Sequence, residues 1–162
     1  MDAVTNYFSE EKKESKFFAV IGLLACLLSV FCLGVSENSF LHGISYAFIS
    51  IGAVQIVVGA TIYLRSDIDT VRVNHYIERD QKSITDDEIP RMTLLIRDLL
   101  LYRQVEIVVS VLGLILFVSF STKDITSGIG LGLAIQSSVM LFWDIMSEKR
   151  ASEYLKYLNS LS

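Results

Sequence analysis

Two carboxylates, Glu106 and Asp144, stand inside long apolar stretches of this chain, and no other acid does. A charge in such surroundings is a functional candidate by default, as an ion or proton site or as one half of an ion pair. Gln55 and Gln136 lie deep in apolar stretches too, with Ser137 and Ser138 beside the second glutamine. A carboxamide away from water needs a partner, typically on another helix, and a set of such groups could also line a polar path or a small cavity. The serines can instead bond back to their own helix. A nucleophile with a base is missing from the pattern. His42 and His75 are the only histidines, and they are far apart. Cys26 and Cys32 sit six residues apart in one apolar stretch, where thiols behave as small apolar groups, so neither a disulfide nor a metal site is read from them. No phosphate-binding loop, H-E-x-x-H or G-x-S-x-G motif occurs. The expectation is a protein that is not an enzyme and uses no cofactor or metal.

The elements that must position these side chains follow from composition. Of 162 residues, 52% are apolar and only 20% charged. The charges are segregated between apolar blocks, as a lipid solvent demands, because hydrocarbon leaves a polar group unsatisfied. The first block, residues 17–34, holds no charge and as a helix spans roughly 27 Å, enough for the hydrocarbon layer. Further blocks cover 42–64, 104–120 and 127–146. The acidic tail before the first block is unlike a signal peptide. The chain is expected to be all-α, one four-helix membrane domain over residues 1–162, built as two antiparallel hairpins with short polar turns. Asn38 or Ser39 is placed to cap the second helix. A net charge of −4 gives no support to a nucleic-acid partner.

Thirteen of the fourteen basic residues lie in the two tails and the middle segment, and only Lys123 lies in a short turn. Basic residues stay on the cytoplasmic side, so both termini and residues 65–103 are expected there. In that segment Leu64, Ile68, Val71, His75 and Glu78 recur at helical spacing, as do Ile89, Met92, Ile96, Leu99 and Arg103. The second and third membrane helices are therefore expected to run into the cytoplasm and pack against each other as a hairpin. Its turn lies near Gln81–Ile84, and Asp86 or Asp87 caps the returning helix. Val4, Tyr7 and Phe8 suggest a short amphipathic turn, and the C-terminal tail reads as helix. Glu106 and Asp144 fall within about one turn of the cytoplasmic ends of their helices. Lys16, Arg65 and Arg103 belong at that level, which predicts a belt of ion pairs.

Small residues supply the packing code. Ser45, Gly52 and Gly59 repeat every seven residues, and Gly128 and Gly132 form GxxxG with Gly130 between them. Such faces let backbones approach, either within one chain or across a subunit interface. The two hairpins also share a faint internal repeat: Gln55 precedes Ser66-Asp67, and Gln136 precedes Ser147-Glu148, at matching distance. The stretch from Gly128 to Leu155, GIGLGLAIQSSVMLFWDIMSEKRASEYL, carries the glycine run, Gln136, Asp144 and Glu148-Lys149-Arg150. It resembles the end of small, uncharacterised four-helix bacterial inner-membrane proteins. The resemblance implies a bacterial inner-membrane location and brings no activity with it.

Two functions follow as expectations. The leading one is a non-catalytic scaffold, accessory or immunity-type protein, touching lipid and binding a second copy, another membrane protein, or a cytoplasmic protein on the 65–103 hairpin. The alternative is a subunit of a small oligomeric channel or transporter, lined by Gln55, Gln136, Ser137 and Ser138 with Glu106 and Asp144 at its inner mouth. The direction of these side chains separates the two.

Overall fold

The computed structural model describes residues 3–121 and 123–161. Helix α1 runs over Ala3–Val35 and α2 over Ser39–Arg79. A single helical turn, α3 (Gln81–Ser83), and a π-helical turn (Ile84–Glu88) lead into α4 (Ile89–Ser119), and α5 covers Ile125–Asn159. Four helices are long and apolar enough to cross a membrane. The shortest of the long helices, α4, has 31 residues and the longest, α2, has 41. At 1.5 Å per residue they run roughly 46–62 Å, well beyond a hydrocarbon layer of about 30 Å. The excess lies at one end, where both tails and the α2–α4 connection gather (the tail end). The other end carries the short turns around residues 36–38 and at residues 120–121 and 123–124 (the turn end). The N-terminal tail, expected as a short turn, is continuous helix from Ala3 into the first apolar block.

Caps and breaks have local causes. Asn38 caps α2, its Oδ1 accepting from the backbone N–H of Phe40 at 2.9 Å and of Leu41 at 3.4 Å. Helix α2 ends at Asp80, whose backbone leaves the helical region (φ −148°, ψ 68°) and breaks the ladder. Neither Asp86 nor Asp87 caps the returning helix, because both lie inside the π-turn. Pro90 explains that turn. Proline cannot donate to the ladder, and its ring crowds the carbonyl four residues back. Widening the preceding turn accommodates both.

In space the helices form a curled row, α1–α2–α5–α4, with α1 also meeting α5. Backbones touch where glycines allow it. A Cβ on Gly22 would lie 2.6 Å from the Gly52 carbonyl oxygen, and one on Gly113 would lie 2.6 Å from that of Gly130. Gly43 and Gly128 bring the turn-end halves of α2 and α5 together in the same way. Gly59 abuts Ser15 and Ala19 of α1, Gly132 abuts Ile44 and Ala47 of α2, and Ser45 is buried with its hydroxyl donating to the Leu41 carbonyl. The small-residue faces are thus occupied by packing within one chain.

At the tail end the bundle closes around a true core: Val4, Tyr7, Phe8, Val73, Ile84, Met92, Ala151, Tyr154 and Leu158. Tyr7 stacks on Tyr154 at 4.1 Å, and the Arg150 guanidinium lies 5.7 Å from the Tyr7 ring centre. This core corrects the expected hairpin. Helices α2 and α4 do run on past their apolar blocks, but their backbones are not close neighbours: most of the core between them comes from the start of α1 (Val4, Tyr7, Phe8) and the end of α5 (Ala151, Tyr154, Leu158). The stripe of Leu64, Ile68, Val71, His75 and Glu78 is exposed, with Leu64, Ile68 and Val71 about 70% open. The buried face of α2 is Ser66, Asp69 and Val73. The second stripe does face inward, through Met92 and Leu99.

Candidate functional site

Below the tail-end core, the helices part and leave a cavity of about 410 Å³. Toward the turn end its lining stops at Phe18, Val54, Glu106 and Met140. Beyond that level α1 packs on α2 at Gly22 and Gly52, and α4 packs on α5 at Gly113 and Gly130. Val54 and Val58 of α2 and Tyr102 and Val105 of α4 line the cavity yet are 42–60% exposed. Since α2 and α4 barely touch, the cavity opens sideways between them. From Val54 to Arg65 is eleven residues, so the opening runs roughly 16 Å along the helix, from mid-layer to the tail-end boundary.

Apolar side chains from all four long helices form the walls, including Phe18, Ile62, Leu99, Met140 and Trp143. Phe18 and Trp143 meet at 5.7 Å between ring centres, bracing α1 against α5. The charged groups that border the cavity are Glu11, Glu14, Glu106, Asp144, Arg65 and Arg150. Both arginines are engaged. Arg65 Nε pairs with Asp69 at 2.9 Å, and Arg150 pairs with Glu14. Glu11, 7% exposed, accepts from the Ser66 hydroxyl at 3.1 Å. Burial pushes its carboxyl above the ordinary range, against the opposing pull of Arg65 and the Ser66 hydrogen bond.

Glu106 and Asp144 are the exception. Glu106 is 6% exposed, and neither of its carboxylate oxygens has a well-formed hydrogen bond. Its charged neighbour is Asp144, close enough for the two to interact. This overturns the expected pairing. Arg65 serves Asp69, Arg103 NH1 binds Glu148 at 2.6 Å, and Lys16 is exposed. Among the described residues no cation is paired with Glu106 or Asp144. The reason is angular. Arg103 sits three residues before Glu106 on α4, where it meets Glu148 of α5, one turn beyond Asp144.

The other singled-out groups lie elsewhere. Gln55 is fully buried beside Gly22, and Gln136 and Ser137 are 2% and 3% exposed. None of them lines the cavity. Ser138 faces outward and returns its hydroxyl to the Ala134 carbonyl at 2.7 Å. His42 contacts the Ser36 carbonyl at the turn end, and Cys26 and Cys32 are free thiols. No family model, curated protein or solved structure matches the chain.

A charge relay above the cavity escaped the sequence reading. Asp69, 2% exposed, pairs with Arg65 and with Arg72, each at 2.9 Å, and Arg91 stands 4.0 Å away. Glu88, 1% exposed, binds Arg91 at 2.6 Å and Arg72 at 3.3 Å. The chain Arg65–Asp69–Arg72–Glu88–Arg91 ties α2 to the start of α4 across the gap. Burial works against the Arg91 charge, yet the Glu88 hydrogen bonds win and hold it above its usual value. The signal was present in part: Arg65 and Arg72 flank Asp69 at helical spacing, and Arg91 follows Glu88 by three.

Proposed function

We propose that this chain is a non-catalytic, multi-pass membrane protein of the bacterial inner membrane, with both termini cytoplasmic, that acts by binding rather than by conducting. It is an accessory or immunity-type protein in this reading. One observation carries it: the cavity is bordered by exposed residues of α2 and α4, so it opens sideways between two apolar helices, and its lining stops at Phe18, Val54, Glu106 and Met140, short of the turn end. A blind lateral pocket suits an occupant that arrives along the bilayer. The oligomeric pore loses support from the same geometry. Gln55, Gln136 and Ser137 are buried inside a single chain, so they cannot face an axis shared between copies. The exposed Leu64, Ile68 and Val71 offer a further contact surface at the bilayer boundary. The thirteen-to-one distribution of basic residues supports the orientation.

Reconstitution tests the reading. Liposomes holding the protein should show no ion or proton flux above protein-free liposomes. Photo-crosslinkers at Val58 and Val105, in cells, should capture an occupant that the same groups at Val118 do not. Flux above background would return the channel to first place. For orientation, single cysteines at positions 79 and 123 are placed in a background lacking Cys26 and Cys32. In intact spheroplasts an impermeant thiol reagent should label position 123 only.

A further inference from the structure

From the charges left over in the cavity, we infer that it takes an amphipathic organic cation: an apolar body carrying one positive charge. This deepens the proposed binding function and rests on that cavity being the binding site. Four acids border the space against two arginines, and both arginines are spent on Asp69 and Glu14. Glu11 already has the Ser66 hydroxyl. The groups without a basic partner are Glu106 and Asp144, and Glu106 is 94% shielded from solvent with only the Asp144 carboxyl as its neighbouring acid or base. Every other strongly buried carboxylate in this half of the molecule has a donor or a cation: Glu11, Asp69 and Glu88. A carboxylate pair kept in an apolar wall without a counter-charge is complementary to a cation from outside.

The rest of the lining fits the remainder of such a ligand. Phe18, Trp143 and Tyr102 offer aromatic faces, which attract organic cations more strongly when water is excluded. The aliphatic wall from Val54 to Ile62 suits an apolar body. The lateral opening lets a membrane-dissolved molecule enter without crossing a headgroup layer. An anionic phosphate is disfavoured beside two acids, so the proposal commits to a free lipophilic cation rather than to a phospholipid.

The molecule contains its own reporter, since Trp143 is the only tryptophan in the sequence and lines the cavity. The full chain in nanodiscs is titrated with tetraphenylphosphonium, and with tetraphenylborate as a probe of the same shape and opposite charge. Empty nanodiscs supply the blank. Tetraphenylphosphonium should quench Trp143 fluorescence saturably, and tetraphenylborate should not. Glu106→Gln with Asp144→Asn should weaken the phosphonium about 10- to 100-fold, the range for losing a charge-assisted contact. Met140→Lys places an ammonium four residues before Asp144, inside the cavity, and should abolish binding by supplying the missing cation. Circular dichroism and thermal unfolding confirm that each variant is folded, and either one suffices for the comparison.

Unchanged phosphonium affinity in the folded variants overturns the inference, and so does equal quenching by tetraphenylborate. A phospholipid held at the site in native mass spectra and not displaced by the phosphonium also overturns it. These outcomes leave the broader binding reading to the crosslinking result at Val58 and Val105, which does not depend on what charge the occupant carries.

Discussion

Replacing Gly130 by alanine adds one methyl group where α4 and α5 cross. A Cβ there would lie 2.5 Å from the Gly113 carbonyl oxygen, 2.6 Å from the Phe117 nitrogen and 2.8 Å from the Leu116 Cβ. Two of these three are backbone atoms, so no rotamer change relieves them. Ordinary contact begins at 3.4 Å, so α4 must retreat by most of an ångström. A gap of that size forfeits about a quarter to a half of each dispersion contact along the interface, and overpacking of this kind costs about 1–3 kcal/mol. Alanine returns about 1 kcal/mol through its better helix propensity. The net loss is then about 0–2 kcal/mol. Gly34 is the control, because a Cβ there meets nothing within 4 Å. Gly34→Ala keeps the propensity gain, so the two variants should differ by about 1–3 kcal/mol in unfolding free energy. Reversible unfolding in mixed micelles, followed by circular dichroism, measures the difference. Gly130→Ala as stable as Gly34→Ala would refute the claim that this crossing is closed at backbone distance.

Three other outcomes follow from the same structure. Asp69→Asn should destabilise by about 3 kcal/mol in the same assay, near the low end for a broken buried ion pair because its arginines keep water contact; a loss under about 1 kcal/mol would show that the relay is not holding α2 to α4. Glu106→Gln should leave the thermal midpoint unchanged or higher, since no ion pair is lost, and a clear drop would mean that a partner cation is present after all. Glu11 gives a pH signature: its folded carboxyl is raised above the unfolded value of 4.5, so the folded state holds the proton more tightly and stability falls as pH rises past about 4.5. Glu11→Gln keeps an acceptor for Ser66 and should flatten that decline above pH 4.5, with a wild-type curve no steeper than the variant's counting against it.

Segregated charge and helical spacing were enough to read the architecture from the chain. Four apolar blocks, two short turns, a cap at Asn38 or Ser39 (the structure uses Asn38) and the helical C-terminal tail are local properties, set by what lipid, water and the backbone each tolerate. The small-residue faces at Gly52, Gly59, Gly128 and Gly132 were legible for the same reason. Their partners were not, because periodicity names a face without naming what covers it. Two decisions belonged to the tertiary structure alone. The first was which face of α2 points inward. The apolar stripe through Ile68 and Val71 reads as core, yet Asp69 is buried in its place, because Arg65, Arg72 and Arg91 converge on it from two helices. The second was the pairing of the acids inside the apolar blocks. Sequence put Lys16, Arg65 and Arg103 at the level of Glu106 and Asp144, but level is one coordinate and an ion pair needs three. The angle at which each helix presents its side chains depends on its neighbours. That angle sends Arg65 to Asp69 and Arg103 to Glu148, and leaves Glu106 beside Asp144 on the wall of a cavity that only the parting of α2 and α4 creates.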